Sequence, residues 1–328
     1  MTPAFEVLEP GLLTTIQDGG RFGFGHLGVP RSGACDPWSL AVANLLVGNE
    51  PDHAALELTV AGPTLRALRS CVVGLAGTDL GATVHGGRGL ATGRSHALAA
   101  GEVVAFPGTA NAVGARAYVA LPGGVDVPDV LGSRSTCLTA RFGGLDGRPL
   151  RAGDRLASDR DPGDAPDGLV WIHDHDPEPI AEAPIRVLPG PDAGLLDRLA
   201  AIHWTVATAS DRMGLRLEGP AVPMPGEPGD RRPHGVVPGT IQLPPDGLPI
   251  VLLADAQPTG GYPVPAVTIS ADLHRLGQLR PGMRLRLLAV DVRTAEAARR
   301  EQAAAFRQGR ARLAELAGWD DLWRSARG

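Results

Sequence analysis

The chain has 328 residues, enough for two domains of ordinary size, and its 43% hydrophobic and 20% charged content suits a globular protein rather than a disordered one. The net charge is −5 with no basic block, which argues against nucleic acid or an anionic membrane as partner. No apolar run reaches roughly 18 residues, and no basic-then-apolar leader opens the sequence, so a cytoplasmic protein is expected.

Two compositional facts sharpen this. Cys35, Cys71 and Cys137 are widely spaced, which is neither a disulfide framework nor a zinc pattern. There is no lysine at all; every one of the 31 Lys+Arg positions is arginine. That excludes a P-loop lysine, a Schiff-base lysine and a lysine carrying biotin or lipoate.

In chain order, FEVLEP (5–10) and LLTTIQ (12–17) read as strands. The glycines Gly23, Gly25 and Gly28 then fall at the G-x-G-x-x-G spacing. A dinucleotide loop needs a helix starting at the last glycine. Here Pro30 and Gly33 break any such helix, and the first helix start is Asp36–Pro37, with Gly48 as its C-terminal stop. The glycines therefore belong to a loop. Further strands follow at 55–60, 71–77, 102–106 and 116–121, then at 185–190, 214–219, 240–244, 249–255 and 284–290. Helices are few: 36–47, 195–202, and a C-terminal one from about Thr294 to Leu316, with Trp319 and Trp323 placed to dock it.

Short strands between Gly, Pro and Asp turns indicate an all-β protein built from barrels. Asp/Pro/Ala-rich stretches at 158–168 and 174–184 mark a linker. Similar phrases recur on its two sides, such as VLEPG (7–11) and VLPGP (187–191). Two related β-barrel domains are expected: residues 1–180, residues 184–292, and a helical tail at 293–328. His173 and His175 in HDHD lie in the linker with no third ligand at a recognisable spacing, so no metal site is expected.

No G-x-S-x-G or supported Ser/His/Asp order occurs. Cys137 has no readable base and is expected to be a small buried residue. The polar groups that stand out sit in glycine-rich turns: Ser32 and Asp36; Arg134, Ser135 and Thr136; Ser210, Asp211 and Arg212; and Asp255, Gln257, Thr259 and Tyr262. Such turns lie at barrel rims, where ligand sites are built. Arginine forks suit a substrate carboxylate, so Arg134 and Arg212 are candidate anion clamps. Asp255 is the candidate acid/base, provided burial raises its pKa. The remaining residues would hydrogen-bond the substrate.

These same turns, with ALELTVAGPTL, SDRMGLRLEGP, GTIQLPPDGLPIVLLAD, TGGYP and ISADLHRLGQLRPG, resemble the biotin-dependent carboxyltransferase family, also called allophanate hydrolase subunit 2 or KipA-like, over roughly residues 5–290. The resemblance implies two cyclophilin-like β-barrels. Within the family the chain is most similar to the free-standing bacterial form, the C subunit of an ATP-dependent 5-oxoprolinase. This implies two partner subunits, one KipI-like and one of the lactam-utilisation type, and opening of 5-oxoproline to glutamate. ATP would bind mainly to the partners, and biotin would enter only as a ligand carried by another chain. Two alternatives come with the family: a carboxyltransferase module of a urea pathway, and a non-catalytic antagonist of a KipI-like kinase inhibitor. The family turn usually reads D-R-Q-T-T-G-G-Y-P-K; here Ala256, Pro258 and Val264 replace arginine, threonine and lysine, and Pro233–His234 replace Ser-Glu.

Overall fold

The computed structural model describes residues 2–161, 165–172, 184–223 and 232–318. His173, His175, Trp319 and Trp323 lie outside the described residues. The chain divides into two compact units. The first comprises Met1–Gly20, Pro37–Asp176 and Ala303–Gly328; the second comprises Arg21–Asp36 and Pro177–Gln302.

In the first unit, β1 (Phe5–Glu9) and β2 (Leu13–Gln17) are followed by α1 (Pro37–Leu45), β3 (Ala55–Thr59), β4 (Thr64–Ala67) and β5 (Cys71–Gly77). Then come β6 (Thr83–Val84), β7 (Arg88–Gly89), β8 (Arg94–Leu98), β9 (Val103–Ala105), β10 (Arg116–Ala120) and β11 (Arg155–Leu156). They form a six-stranded sheet, β11-β1-β4-β9-β6-β7, and a five-stranded one, β2-β3-β10-β5-β8. Chain neighbours β1 and β2, and again β3 and β4, go to different sheets, so the two sheets share one core. Phe5, Val7, Ile16, Leu56, Leu58, Leu65, Val73, Leu75, Val104 and Val119 fill it.

Helix α1 starts at Pro37, whose missing N–H is harmless in a first turn, and stops before Gly48, which adopts φ +72°. It lies so close over β5 that a Cβ on Gly74 would meet the carbonyl oxygen of Ala43. Trp38 from α1 stacks edge-on with Trp171 (6.4 Å) and Phe306 (5.3 Å).

In the second unit the strands are β12 (Ile185–Pro189), β13 (Trp204–Val206), β14 (Gly214–Glu218), β15 (His234–Gly235), β16 (Thr240–Gln242), β17 (Ile250–Leu252), β18 (Thr259–Gly260), β19 (Ala266–Thr268), β20 (Arg284–Leu285) and β21 (Leu287–Ala289). Helices α2 (Leu196–Ala200), α3 (Leu273–Gln278) and α4 (Val292–Ala317) interleave or follow. Eight strands run β20-β13-β14-β17-β16-β19-β12-β21. The two edge strands, β20 and β21, are one extended run broken only at Arg286, so the sheet curls into a nearly closed barrel. Trp204, Ile241, Val251, Leu215, Val187 and Leu287 fill its core. The pair β15–β18 forms a separate two-stranded ribbon.

The all-β reading holds, with two differences in detail. Residues 21–36 group with the second unit rather than with residues 1–180. The cause is bonding: Arg212 donates to Gly33 O, Gln278 donates to Asp36, and Cys35 is part of the second core. The expected separate tail at 293–328 also divides, because Ala298 packs on Ile269 and Ala271 while Phe306 packs on Trp38 and Trp171.

A methyl group at position 74 meets backbone, which cannot swing aside. Gly74→Ala is therefore expected to destabilise the protein by about 1–3 kcal/mol. Gly89→Ala, where a Cβ meets nothing within 4 Å, is expected to stay within about 0.5 kcal/mol of wild type. Equal urea midpoints for the two variants would refute the close packing of α1.

Candidate functional site

The second unit holds most of the expected site residues: Ser32, Asp36, Asp211, Arg212, Asp255, Gln257, Thr259 and Tyr262. Arg212 lies in the turn that joins β13 to β14. Asp211 organises this turn by accepting N–H bonds from Met213 (2.8 Å) and Gly214 (3.3 Å). Asp255 follows β17 and donates its N–H to Arg212 O at 3.0 Å. The two side chains then meet as a fork on a fork. Arg212 Nε reaches Asp255 Oδ2 at 2.9 Å, and Nη2 reaches Oδ1 at 3.1 Å. Both are almost sealed from water, with side-chain exposures of 2% and 1%.

The same guanidinium holds the loop before α1. Nη2 donates to Gly33 O at 2.7 Å, and Nη1 approaches Cys35 Sγ at 3.4 Å. Ser32 is thereby fixed at φ +53°, a left-handed conformation that costs a non-glycine residue about 1–2 kcal/mol. Its Oγ is buried and has no hydrogen-bond partner. Arg31 lies over the Phe22 ring at 4.0 Å, and burial holds its pKa below the ordinary arginine value. Asp36 points elsewhere and accepts from Gln278 Nε2 at 2.7 Å.

Helix α3 supplies groups that the sequence reading passed over. Asp272 is fully buried and receives Arg186 Nη2 at 2.6 Å and Arg275 Nη1 at 3.4 Å. Burial pushes the His274 imidazole below its ordinary range, against the pull of the Asp36 and Asp272 carboxylates. Its Nδ1 accepts from Gln302 Nε2 at 3.2 Å. Asp272, His274 and Arg275 all lie in ISADLHRLGQLRPG, so the stretch was visible, but no single residue in it signalled chemistry.

The altered positions gather in one place. Ala256 and Val264 are both buried in a small apolar cluster with Val236 and Leu252. Pro258 O accepts from Val236 N at 3.0 Å, and His234 pairs directly with Gly260 in the β15–β18 ribbon. Thr259 and Tyr262 are exposed on the same turn.

The first unit carries Arg134, Ser135 and Thr136, and their centre is a residue not singled out from sequence, Asp18. Its Oδ1 accepts from Gly20 N–H (2.8 Å), Ser133 Oγ (2.7 Å) and Ser135 Oγ, and its Oδ2 accepts from Arg134 N–H. The GSRST turn is thus wound around one carboxylate. Arg134 pairs with Asp159 through Nη1 and also donates to Val125 O. Thr136 receives Gln17 Nε2 on its carbonyl at 3.2 Å. Its own Oγ1 is buried without a partner, as is Gln17 Oε1.

The three cysteines are buried, and burial pushes the Cys71 thiol up to about 12. Cys137 Sγ contacts Thr139 Oγ1 at 3.6 Å. The Cys71 environment does not favour a thiolate nucleophile.

The chain is 35% identical over 313 residues to the C subunit of 5-oxoprolinase from Escherichia coli (strain K12), covering 92% of this chain and 96% of that protein. It is 32% identical to urea amidolyase of Lachancea kluyveri over 92% of this chain, yet spans only 18% of that relative. Among solved structures, TTHA0988 superposes with TM-score 0.78 at 40% identity, covering 87% of this chain and 56% of that one. The K. lactis urea amidolyase gives TM-score 0.79 at 28% identity, covering 94% of this chain and 20% of that one. The family model for the carboxyltransferase domain, subdomain A and B, matches residues 27–289, and the chain belongs to that family.

Proposed function

We propose that this chain is the C subunit of a 5-oxoprolinase, working with partner subunits to open 5-oxoproline, or a related lactam, to the amino acid. One observation carries the reading: the chain aligns end to end with two proteins of that name, covering 96% and 94% of them, but only 18% of the urea amidolyases. One partner would be KipI-like and the other of the lactam-utilisation type. ATP would be handled mainly by those partners, which fits a chain with no lysine to grip phosphate. No biotin would be attached here; it would enter only from another chain. No helix among the described residues is long and apolar enough to cross a membrane. We place the complex in the cytoplasm.

Opening a lactam adds water to the carbonyl carbon, breaks the C–N bond and delivers the proton of that water to the departing nitrogen. Asp255 is the proposed proton carrier, with Arg212 holding its carboxylate in one orientation. Arg212 in the second unit and Arg134 in the first remain the proposed anion contacts, each within its own unit. Asp36, Asp211, Gln257, Thr259 and Tyr262 are proposed to bind substrate in the second unit, and Ser135 in the first. Ser32 in the second unit and Thr136 in the first, whose buried hydroxyls have no protein partner, are each unit's strongest candidate for a direct hydrogen bond to a ligand.

The first test is reconstitution: 5-oxoproline is expected to stimulate ATP hydrolysis by the mixed subunits, and omission of this chain should abolish the stimulation. Stimulation by urea instead would favour the carboxyltransferase reading, motivated by the urea amidolyase likeness.

Asp255→Asn is expected to lower turnover at least 100-fold. It also leaves Arg212 buried beside a neutral amide, at a stability loss of about 3 kcal/mol or more. The double variant Arg212→Met/Asp255→Leu removes both charges and should recover much of that stability while staying inactive. Turnover by the refolded double variant would make the pair purely structural.

Ser32→Gly separates strain from chemistry. Glycine adopts φ +53° freely, so stability should rise by about 1 kcal/mol. Loss of the hydroxyl should lower kcat/KM about tenfold. Unchanged kinetics would remove Ser32 from the substrate contacts.

A further inference from the structure

Beside the candidate turn, two buried polar atoms in the second unit lack any hydrogen-bond partner: Gln242 Nε2 and His234 Nε2. Gln242 is 2% exposed. Such atoms are rare in folded proteins, and each calls for a ligand, a water or a function. His234 stands directly opposite Gly260 in the antiparallel β15–β18 ribbon. Residues directly opposite project from the same face, with Cβ positions about 4.5–5.5 Å apart. The Gly260 member of this pair has no side chain, and the space its Cβ would fill is taken by Gln242 Nε2. The His234 side chain and the Gln242 amide therefore share one face of the ribbon, a slot floored by glycine. Val236 borders the same slot, its Cγ1 3.5 Å from that Cβ position, and shares an apolar cluster with Ala256 and Val264.

The chemistry of this slot is specific. Gln242 Nε2 can only donate. A neutral His234 Nε2 of the right tautomer accepts. The complement is a group that presents a carbonyl acceptor and an N–H donor on one edge. A ring amide does so, because the ring forces its C=O and N–H to the same side. An open-chain secondary amide is trans and places them on opposite sides. The apolar cluster suits the carbon skeleton of the ring and offers nothing to a charge.

We infer that Gln242 and His234 form a lactam-edge subsite, in which Gln242 donates to the ring carbonyl, His234 accepts the ring N–H, and Val236, Ala256 and Val264 pack against the ring carbons. This rests on the lactam reading above and adds the residues that select a lactam. Gly260, lacking a Cβ, is the element that makes room for the Gln242 amide.

The test uses the full chain and two neutral probes of similar size, 2-pyrrolidinone and N-methylacetamide. Side-chain 15N-histidine spectra report on His234, whose resonance is identified by its loss in His234→Phe. The lactam is expected to shift that resonance saturably, and the open-chain amide is expected to leave it in place. Gln242→Met should weaken lactam binding about fivefold or more, while stability holds or rises because an unsatisfied donor has been removed. Gly260→Ala, whose Cβ would meet Gln242 Nε2, should displace that amide and weaken lactam binding as Gln242→Met does. A wild-type resonance that does not move with 2-pyrrolidinone overturns the inference. So do equal shifts with both probes, unchanged affinity in Gln242→Met, and a Gln242→Met chain that is destabilised, as a purely structural amide would be. Turnover of 5-oxoproline by the reconstituted complex is scored separately. Turnover without lactam binding at His234 refutes this subsite alone; lactam binding without turnover refutes the 5-oxoprolinase reading alone.

Discussion

The guanidinium of Arg212 is the interaction on which the second unit's site depends. It is 2% exposed, yet it ties two separate pieces of chain: Asp255 after β17, and the loop before α1 through the Gly33 carbonyl and the Cys35 sulfur. A buried cation is tolerable only when paired and fully bonded. The sequence meets that demand with a carboxylate held at two points and a backbone carbonyl. In meeting it, the protein also fixes a loop that has little core of its own. Residues 21–36 contain five glycines or prolines and one buried cluster residue, Cys35. Hydrophobic burial alone would not hold such a segment. The ion pair does, and Ser32 keeps its left-handed backbone because the residues just after it are tied.

The first unit reaches a similar end by the opposite charge. Asp18 gathers backbone and hydroxyl donors from a turn more than a hundred residues away in sequence, and the turn takes its shape from that carboxylate. In both units a single buried charge converts a glycine-rich segment into a fixed one. Once the carboxylate has used the Ser133 and Ser135 hydroxyls, the neighbouring Thr136 Oγ1 is left without a partner. Thr136 Oγ1 and Ser32 Oγ are thus polar atoms that loop construction leaves unused.

Much of the fold was legible. Cys71–Gly77 is a strand because β-branched and apolar residues run between turns, and α1 begins where Asp36–Pro37 says it should. The split of 284–290 into two strands was not legible, because barrel closure bends the run at Arg286 and no local residue announces it. Helix α3 was missed because six residues carry too little periodicity. The site was legible as a set of turns but not as a set of bonds. Arg134 and Arg212 read alike in sequence, each a lone cation in a serine-bearing turn. One pairs at the edge with Asp159, and the other is sealed against Asp255. Long-range partners decide that difference, and a single sequence does not contain them. Asp18, Gln242 and Gly260 were overlooked for the same reason: each matters through what folding brings against it.

The departures from the usual family turn become coherent once placed. Taken one at a time, Ala256 and Val264 are losses of charge. In the fold they are 6% and 4% exposed and pack together with Val236 and Leu252. Two cations at such depth would each need a buried anion, and among the described residues the cluster around them is aliphatic. Their replacement by alanine and valine removes that demand and gains apolar burial, so the changes support one another rather than accumulate as damage. His234 arrives at the same spot, opposite Gly260, and restores polarity without a fixed charge. A site remodelled in this way favours a neutral amide edge over a carboxylate.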